Sequence, residues 1–196
     1  MRTTIVFNHP NDGSYCNAIL NAVTKGLQKA NHEIDLMHLD NDGFNPIMSK
    51  ADLKAFVERK PVDPQVMDYN ERLKKADHLI FIFPIWWDLM PATTKGFVDR
   101  VLYPGVVYDH HPRGFGLRPL LKNLKGITII TTMNKPKIMY SLLIGNLIRK
   151  AMLKSVFKTM GYKNLHWINF TSVKSVSQKK RIKWLTDIEN KFARGN

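Results

Sequence analysis

Short runs of β-branched and aromatic residues recur along the chain, separated by longer stretches in which apolar residues return every three or four positions. TTIVF (3–7), EIDLMHL (33–39), HLIFIF (78–83), GITIITT (126–132) and NLHWINF (164–170) have the length and composition of strands. Between the first two, Ile19, Leu20, Val23 and Leu27 fall at helical spacing, and Ser14 stands where a helix cap belongs. This is one β-α-β unit. Two helices, near 49–59 and 64–76, fill the gap before the third run; Ser49 with Asp52 forms a variant capping box, and Pro61 and Pro64 separate the pair. Pro91 suits a first helical turn, and ATTKGFVDRVL carries a helix to about Leu102. The pattern then predicts a helix from about Ser141 to Met160, stopped by Gly161, and a last one from about Ser177 to Ala193. Tyr103–Arg118, rich in Pro, Gly and His, is the longest irregular segment expected.

Strands that alternate with helices imply a parallel sheet covered on both faces, and a run such as LIFIF, apolar at every position, fits double burial. Right-handed crossovers leave few topologies for five strands. The expectation is a flavodoxin-like three-layer α/β/α sandwich with a five-stranded parallel sheet in the order 2-1-3-4-5, forming a single domain over residues 1–196. In that order a ligand sits beyond the strand C-termini, at the switch between the first and third strands. The loops after Phe7, Phe83 and Thr132 therefore carry the chemistry.

The composition is 44% hydrophobic and 10% aromatic over 196 residues, enough for a sizeable core. No window reaches the length of uninterrupted apolar sequence that a membrane span needs, because Ile138–Ile148 is broken by Ser141, Gly145 and Asn146. The opening MRTTIVFNHP lacks the apolar core of a signal peptide, and Cys16 is the one cysteine, so a cytoplasmic protein is expected. Charge changes the picture more. Residues 1–98 hold 11 Lys and Arg against 12 Asp and Glu, whereas residues 99–196 hold 19 against 4. Such a cationic half attracts phosphorylated cofactors, nucleic acid or anionic lipid without choosing among them.

The first loop, Asn8–Ser14, runs into a helix N-terminus, where free amides and the helix dipole hold phosphate without a lysine. Ser14, Asn17 and His9 can add donors, although an ordinary capped turn has the same composition. Glycine repeats are absent, which disfavours a Rossmann-type pyrophosphate. The loop after the third strand, FPIWWDLMPA, sets Trp86 and Trp87 between prolines at a strand end, a flat apolar surface suited to a planar heteroaromatic. A core or dimer contact is the alternative for those side chains. TTMNKPKIMY, 131–140, adds two hydroxyls and a phenol at the same rim, and the convergence suggests a bound flavin.

HPN with Ser14 and Asn17 after the first strand, FPIWWDLMPATTKGFVDRVL at 83–102, and TT followed by MYSL after the fourth resemble the flavodoxin-like NAD(P)H:quinone oxidoreductase family. The resemblance runs over essentially the whole chain. It implies a flavoprotein oxidoreductase that takes electrons from NAD(P)H and reduces quinones or similar acceptors two electrons at a time, by ping-pong, as a homodimer with active sites at the subunit boundary. It places the flavin phosphates on His9, Ser14, Tyr15, Cys16 and Asn17, the ring edge on the backbone of Pro84, Ile85, Trp86 and Trp87, and the rest of the cradle on Thr131 and Thr132. Tyr140 takes the catalytic place as a hydrogen-bond donor to the reduced ring. The family often has Gly-Gly where Met133 and Asn134 stand, and a histidine where Asn146 stands. FAD is expected over FMN, on chain length and on the segment 103–118 lying near the flavin rim. Arg113, Arg118, Lys135 and Lys137 are expected there too, favouring NADPH.

Cys16 reads as packing or loop structure, and Asp109-His110-His111 as a rim loop, with no metal expected. QKKRIKWL, 178–185, reads as a solvated helix face with Ile182 and Leu185 turned inward. A flavin-binding regulatory subunit that docks on an anionic partner or membrane transporter is the rival function. Nucleic-acid binding is more remote, because no recognition motif accompanies the charge.

Overall fold

The computed structural model of the chain describes residues 1–112 and 114–194; Arg113, one of the cations expected at the rim, lies outside them. Five parallel strands form one sheet: β1 (Arg2–Phe7), β2 (Glu33–His38), β3 (His78–Pro84), β6 (Gly126–Thr132) and β7 (Leu165–Phe170). Their order, β2-β1-β3-β6-β7, is the expected 2-1-3-4-5 once the two remaining strands are set aside. Those are β4 (Tyr108–His110) and β5 (Leu117–Pro119), an antiparallel hairpin inside the segment expected to be irregular.

The apolar runs divide by parity, as a pleated strand requires. Ile80 and Ile82 of β3 join Ile5, Phe7 and Ile130 under α1 (Tyr15–Lys29) and α6 (Gln178–Ala193). Leu79, Phe81 and Phe83 face the other way, toward α3 (Pro64–Lys74), α4 (Ala92–Val101) and the π-helical segment Arg149–Lys158. There Phe81 meets Phe97 edge-on at 5.7 Å and Phe157 at 5.7 Å. Truncating such a fully buried ring costs about 3–5 kcal/mol. Two glycines mark close approaches: a Cβ on Gly26 would overlap the Glu189 carbonyl where α1 meets α6, and one on Gly96 would overlap Pro46.

Capping follows the sequence. Ser49 and Asp52 complete the capping box of α2 (Lys50–Glu58), with bonds of 3.1 and 2.8 Å, and Asp63 caps α3 ahead of Pro64. Buried Arg100 binds both carboxylates, Asp63 at 2.7 Å and Asp52 at 3.1 Å, together with the Asn45 carbonyl. Burial alone would raise the Asp52 carboxyl, but the bonds from Ser49 and Arg100 hold it below the usual carboxylate range. Removing Arg100 would strand a buried charge, at a cost of about 3–5 kcal/mol.

Three expectations need correction. The helix expected over 141–160 is two pieces, α5 (Lys137–Leu142) and the π-helical segment, because Gly145 and Asn146 both stand at positive φ, 81° and 54°, and break the run. Ile182 is exposed, whereas Leu185 packs against the core as expected, joined by Trp184, which lies on Phe170 at 5.3 Å. The segment 103–118 is tied to the end of α2 and to the turn after the π-helical segment: Asp109 binds Arg59 at 2.7 Å, and Tyr162 donates to the Val107 carbonyl. None of its described residues lines the cavities at the strand ends, so the segment gives no support for a longer flavin.

Candidate functional site

At the C-terminal ends of β1, β3 and β6 the three informative loops surround a cavity of about 370 Å³. His9, Tyr15, Pro84, Ile85, Trp86, Thr132, Met133, Asn134, Val173 and Lys174 line it. The last two come from the loop after β7, which Met133 holds in place through backbone bonds to Phe170 and Val173. A second cavity of about 270 Å³ continues past Ile85, Met133 and Asn134 to Trp87, Asp88 and Lys135.

The first corner is assembled locally. Asn11 accepts from the Gly13 amide and, through its carbonyl, from the Ser14 amide. Ser14 caps α1 by accepting from the Asn17 amide at 3.1 Å, which leaves its own hydroxyl hydrogen for an outside acceptor. The Tyr15 and Cys16 amides, first in the helix, have no intrahelical acceptor to reach. His9 Nδ1 accepts from the Asn11 amide at 3.1 Å, so the neutral ring carries its hydrogen on Nε2, free to donate. Burial lowers the His9 pKa, with Asp40 opposing, which favours that neutral form. The Asn17 side chain is less available, since it donates to the Asp12 carbonyl. Beneath the corner, buried Asn8 donates to Asp40 and accepts from Thr94 of α4. Nothing in the loop sequence singled out that anchor.

Cys16 is buried with its thiol 3.1 Å from the Thr132 hydroxyl, and burial pushes its pKa up to about 11. It packs in the core beside Thr132, and its thiolate is not populated at neutral pH. Tyr15 donates to the Arg181 carbonyl at 2.8 Å, which fixes α6 against the loop. Thr131 does not reach the cavity. Fully buried, it donates to Asn169 and accepts from Trp167.

The third corner is built differently. Trp86 and Leu89 exchange both backbone bonds, at 2.9 and 3.1 Å, around Trp87 and Asp88, whose φ values are 49° and 66°. This is the two-residue turn that normally takes Asn-Gly. Left-handed conformation in non-glycine residues costs about 1–2 kcal/mol each. The Ile85 amide is committed to the Thr132 carbonyl and the Trp86 amide to Leu89. Among the described hydrogen bonds, those of Trp87 and Asp88 have no partner. Trp86 lies edge-on to His9 at 6.1 Å, so the two corners touch, while the Trp87 indole is fully exposed.

Tyr140 is buried, 1% exposed, and lines neither cavity. Its hydroxyl donates to the Asp88 carbonyl at 2.9 Å and accepts from the Ile148 amide at 3.0 Å. Its single hydrogen is thereby committed, so the donor role expected toward a ring has no free hydrogen in this arrangement. Asn146, in the place of the family's histidine, is a left-handed break residue whose amide binds the Tyr140 carbonyl. Of the expected rim cations, Lys135 binds Asp88, and Arg118 lies in β5 near Asp109. No group of three or more His, Cys, Asp or Glu among the described residues is arranged to hold a metal ion.

The site fits a flavin on its own features: uncommitted donors at a helix N-terminus, a flat apolar wall at Ile85 and Trp86, and two free amides beside it. Residues 1–191 match the family model described as flavodoxin-like fold, and the chain belongs to that family. A curated relative from Haemophilus influenzae, named an uncharacterized NAD(P)H oxidoreductase, is 25% identical over 183 residues, covering 92% of this chain and 89% of its own. Several other curated relatives are matched over only about half their length. Among solved structures, NAD(P)H:quinone oxidoreductase from Methanothermobacter marburgensis superposes with a TM-score of 0.88 at 24% identity, over 100% of this chain and 99% of that one. An FMN-dependent NADH-azoreductase from Bacillus anthracis, solved with FMN, gives 0.75 at 14% identity, over 98% of each chain. These two likenesses carry the fold. No helix among the described residues is long and apolar enough to cross a membrane.

Proposed function

We propose that this chain is a flavin-dependent NAD(P)H oxidoreductase that delivers two electrons to quinones or similar flat acceptors. The observation that carries this reading is the convergence, around one cavity, of a donor-rich helix N-terminus and a flat apolar wall with free amides beside it. The names of the Haemophilus relative and the Methanothermobacter enzyme support it. When bound, the flavin supplies the ring that accepts and returns a hydride. The chain's residues bind and orient that ring. The Tyr15 and Cys16 amides, the Ser14 hydroxyl and His9 Nε2–H hold the phosphate, while Pro84, Ile85 and Trp86 form one wall and Thr132 and Met133 the other. The Trp87 and Asp88 amides, without partners among the described hydrogen bonds and beside the adjoining cavity, would serve as donors to the edge of a bound ring.

We assign to this site the flavin mononucleotide portion that FMN and FAD share. None of the described residues of 103–118 lines either cavity, so that segment does not support FAD, and the Bacillus azoreductase was solved with FMN. A homodimer is part of the proposal, supported by Ile138, Leu142 and Leu143 of the α5 region and by Trp87, apolar side chains left exposed beside the site. Sedimentation of the purified protein tests it, a dimer being expected and a monomer contradicting it. The function is tested by incubating apoprotein with FMN and with FAD, then measuring oxidation of NADH and of NADPH with a quinone. Turnover dependent on flavin and quinone is expected; flavin uptake without turnover would favour a binding role.

A further inference from the structure

Asp88 is gripped at both of its acceptors. Its carboxylate takes two bonds from Lys135, at 2.5 and 2.6 Å, and its carbonyl takes one from Tyr140 at 2.9 Å. Tyr140 is anchored in turn, accepting the Ile148 amide from inside the core. Lys135 follows β6 and Tyr140 lies in α5, so both grips reach the third-strand corner from the fourth strand of the core order. What they hold is a turn its own sequence disfavours, with Trp and Asp both left-handed. A conformation of that kind persists only when its surroundings over-determine it. Ring stacking or charge at the cavity would not require the Asp88 carbonyl to be bonded; holding the turn does.

We propose that Lys135 and Tyr140 are positioning residues that act through Asp88, keeping the Trp87–Asp88 corner in its left-handed turn and fixing the two free amides at the cavity rim. What those amides meet rests on the flavin reading above. Two consequences follow for the charges and hydroxyls of the site. Lys135 has its charge matched by Asp88 and does not serve as a free cation for a nucleotide phosphate. Tyr140 influences the ring through the direction of backbone donors and does not touch it.

The test contrasts Asp88→Ala with Asp88→Gly. Both remove the carboxylate, but glycine also removes the strain that the carboxylate is proposed to hold in check. Lys135→Met provides an independent break. In apoprotein, hydrogen exchange at the Trp86 and Leu89 amides is expected to quicken about tenfold in the Ala and Met variants and far less in the Gly variant. Flavin Kd should follow the same order, rising about tenfold for Ala and Met and no more than about threefold for Gly, the tenfold step corresponding to about 1.4 kcal/mol. Equal losses in the Ala and Gly variants would overturn the positioning role in favour of a plain charge effect. Quickened exchange with unchanged flavin Kd would overturn the link to the site. A wild-type protein that takes up no flavin would overturn the flavin reading instead, and the exchange rates in apoprotein would still decide whether the clamp holds the corner.

Discussion

Across the cavity, the capped turn of Asn11, Ser14 and Asn17, which rests on the Asn8 anchor, and the turn Trp86–Leu89 do adjacent jobs with opposite chemistry. In the first, Asn11, Ser14 and Asn17 satisfy neighbouring backbone groups within a few residues, the usual behaviour of Asn and Ser at turns and caps. In the second, Trp87 and Asp88 sit where glycine and asparagine belong, and remote residues supply the restraint. A turn whose own side chains cap its backbone keeps its donors ready through short-range bonds, whereas a strained one points its amides only while distant contacts hold. Damage to the ligand donors of the first corner should therefore remove ligand contacts and change stability little. At the second, affinity and stability should change together.

The largest expected effect calibrates that contrast from the far end of the sheet. His78 lies buried at the start of β3, 2.9 Å from Thr128, and burial, aided by His166, His32 and Lys191, holds its pKa at about 4 against an ordinary 6.5. Between those values the unfolded chain binds a proton that the folded chain refuses. Stability is thus full above the ordinary value and falls as pH drops toward 4, by up to about 3 kcal/mol. Urea unfolding at neutral pH and near pH 4.5 should show this loss, and His78→Gln should flatten it. An unchanged slope in the variant would place the acid sensitivity elsewhere.

Ser14→Asp comes next. Aspartate caps a helix as well as serine does, so unfolding stability should hold. Its charge would oppose a phosphate, and flavin Kd should rise by about a hundredfold or more, as charged contacts exceed neutral ones. Fluorescence titration of apoprotein reads this directly, and unchanged affinity would put the phosphate away from this corner. Tyr140→Phe should behave in the opposite manner. It leaves the buried Ile148 amide without its acceptor, costing about 1–3 kcal/mol in chemical unfolding, and weakens flavin binding at the same time. Stability loss with intact flavin affinity would break the comparison.

Much of this was legible in the sequence. The parity of LIFIF, the Ser14 and Ser49 caps and the alternation of strand and helix are local signals, and they located all five core strands to within one residue at each end. The first corner was legible for the same reason, because its residues satisfy one another at short range. The Asn8–Asp40–Thr94 anchor and the Lys135–Asp88–Tyr140 clamp were not, since each joins segments 32 to 86 residues apart through side chains ordinary at their own positions. Thr131 misled because neighbouring threonines on a strand point to opposite faces, and only Thr132 faces the cavity. The expected helix ran straight through Gly145-Asn146, where two positive φ values break it.

The smallest expected effect separates the corners by sign. Trp87→Gly relieves a left-handed tryptophan and should stabilise the protein by about 1 kcal/mol, whereas Ser14→Gly should destabilise it by about a few tenths. Thermal melts of the two variants side by side would show opposite shifts. Destabilisation in both would mean that the third corner holds less strain than its dihedral angles imply.

The central claim is tested most directly by loading the protein with flavin under anaerobic conditions and mixing it with NADPH or NADH, then with a quinone. The account predicts a yellow protein whose flavin absorbance bleaches with one equivalent of nucleotide and returns with one equivalent of quinone. A protein that takes up neither FMN nor FAD, or whose bound flavin keeps its colour in the presence of both nucleotides, would contradict it.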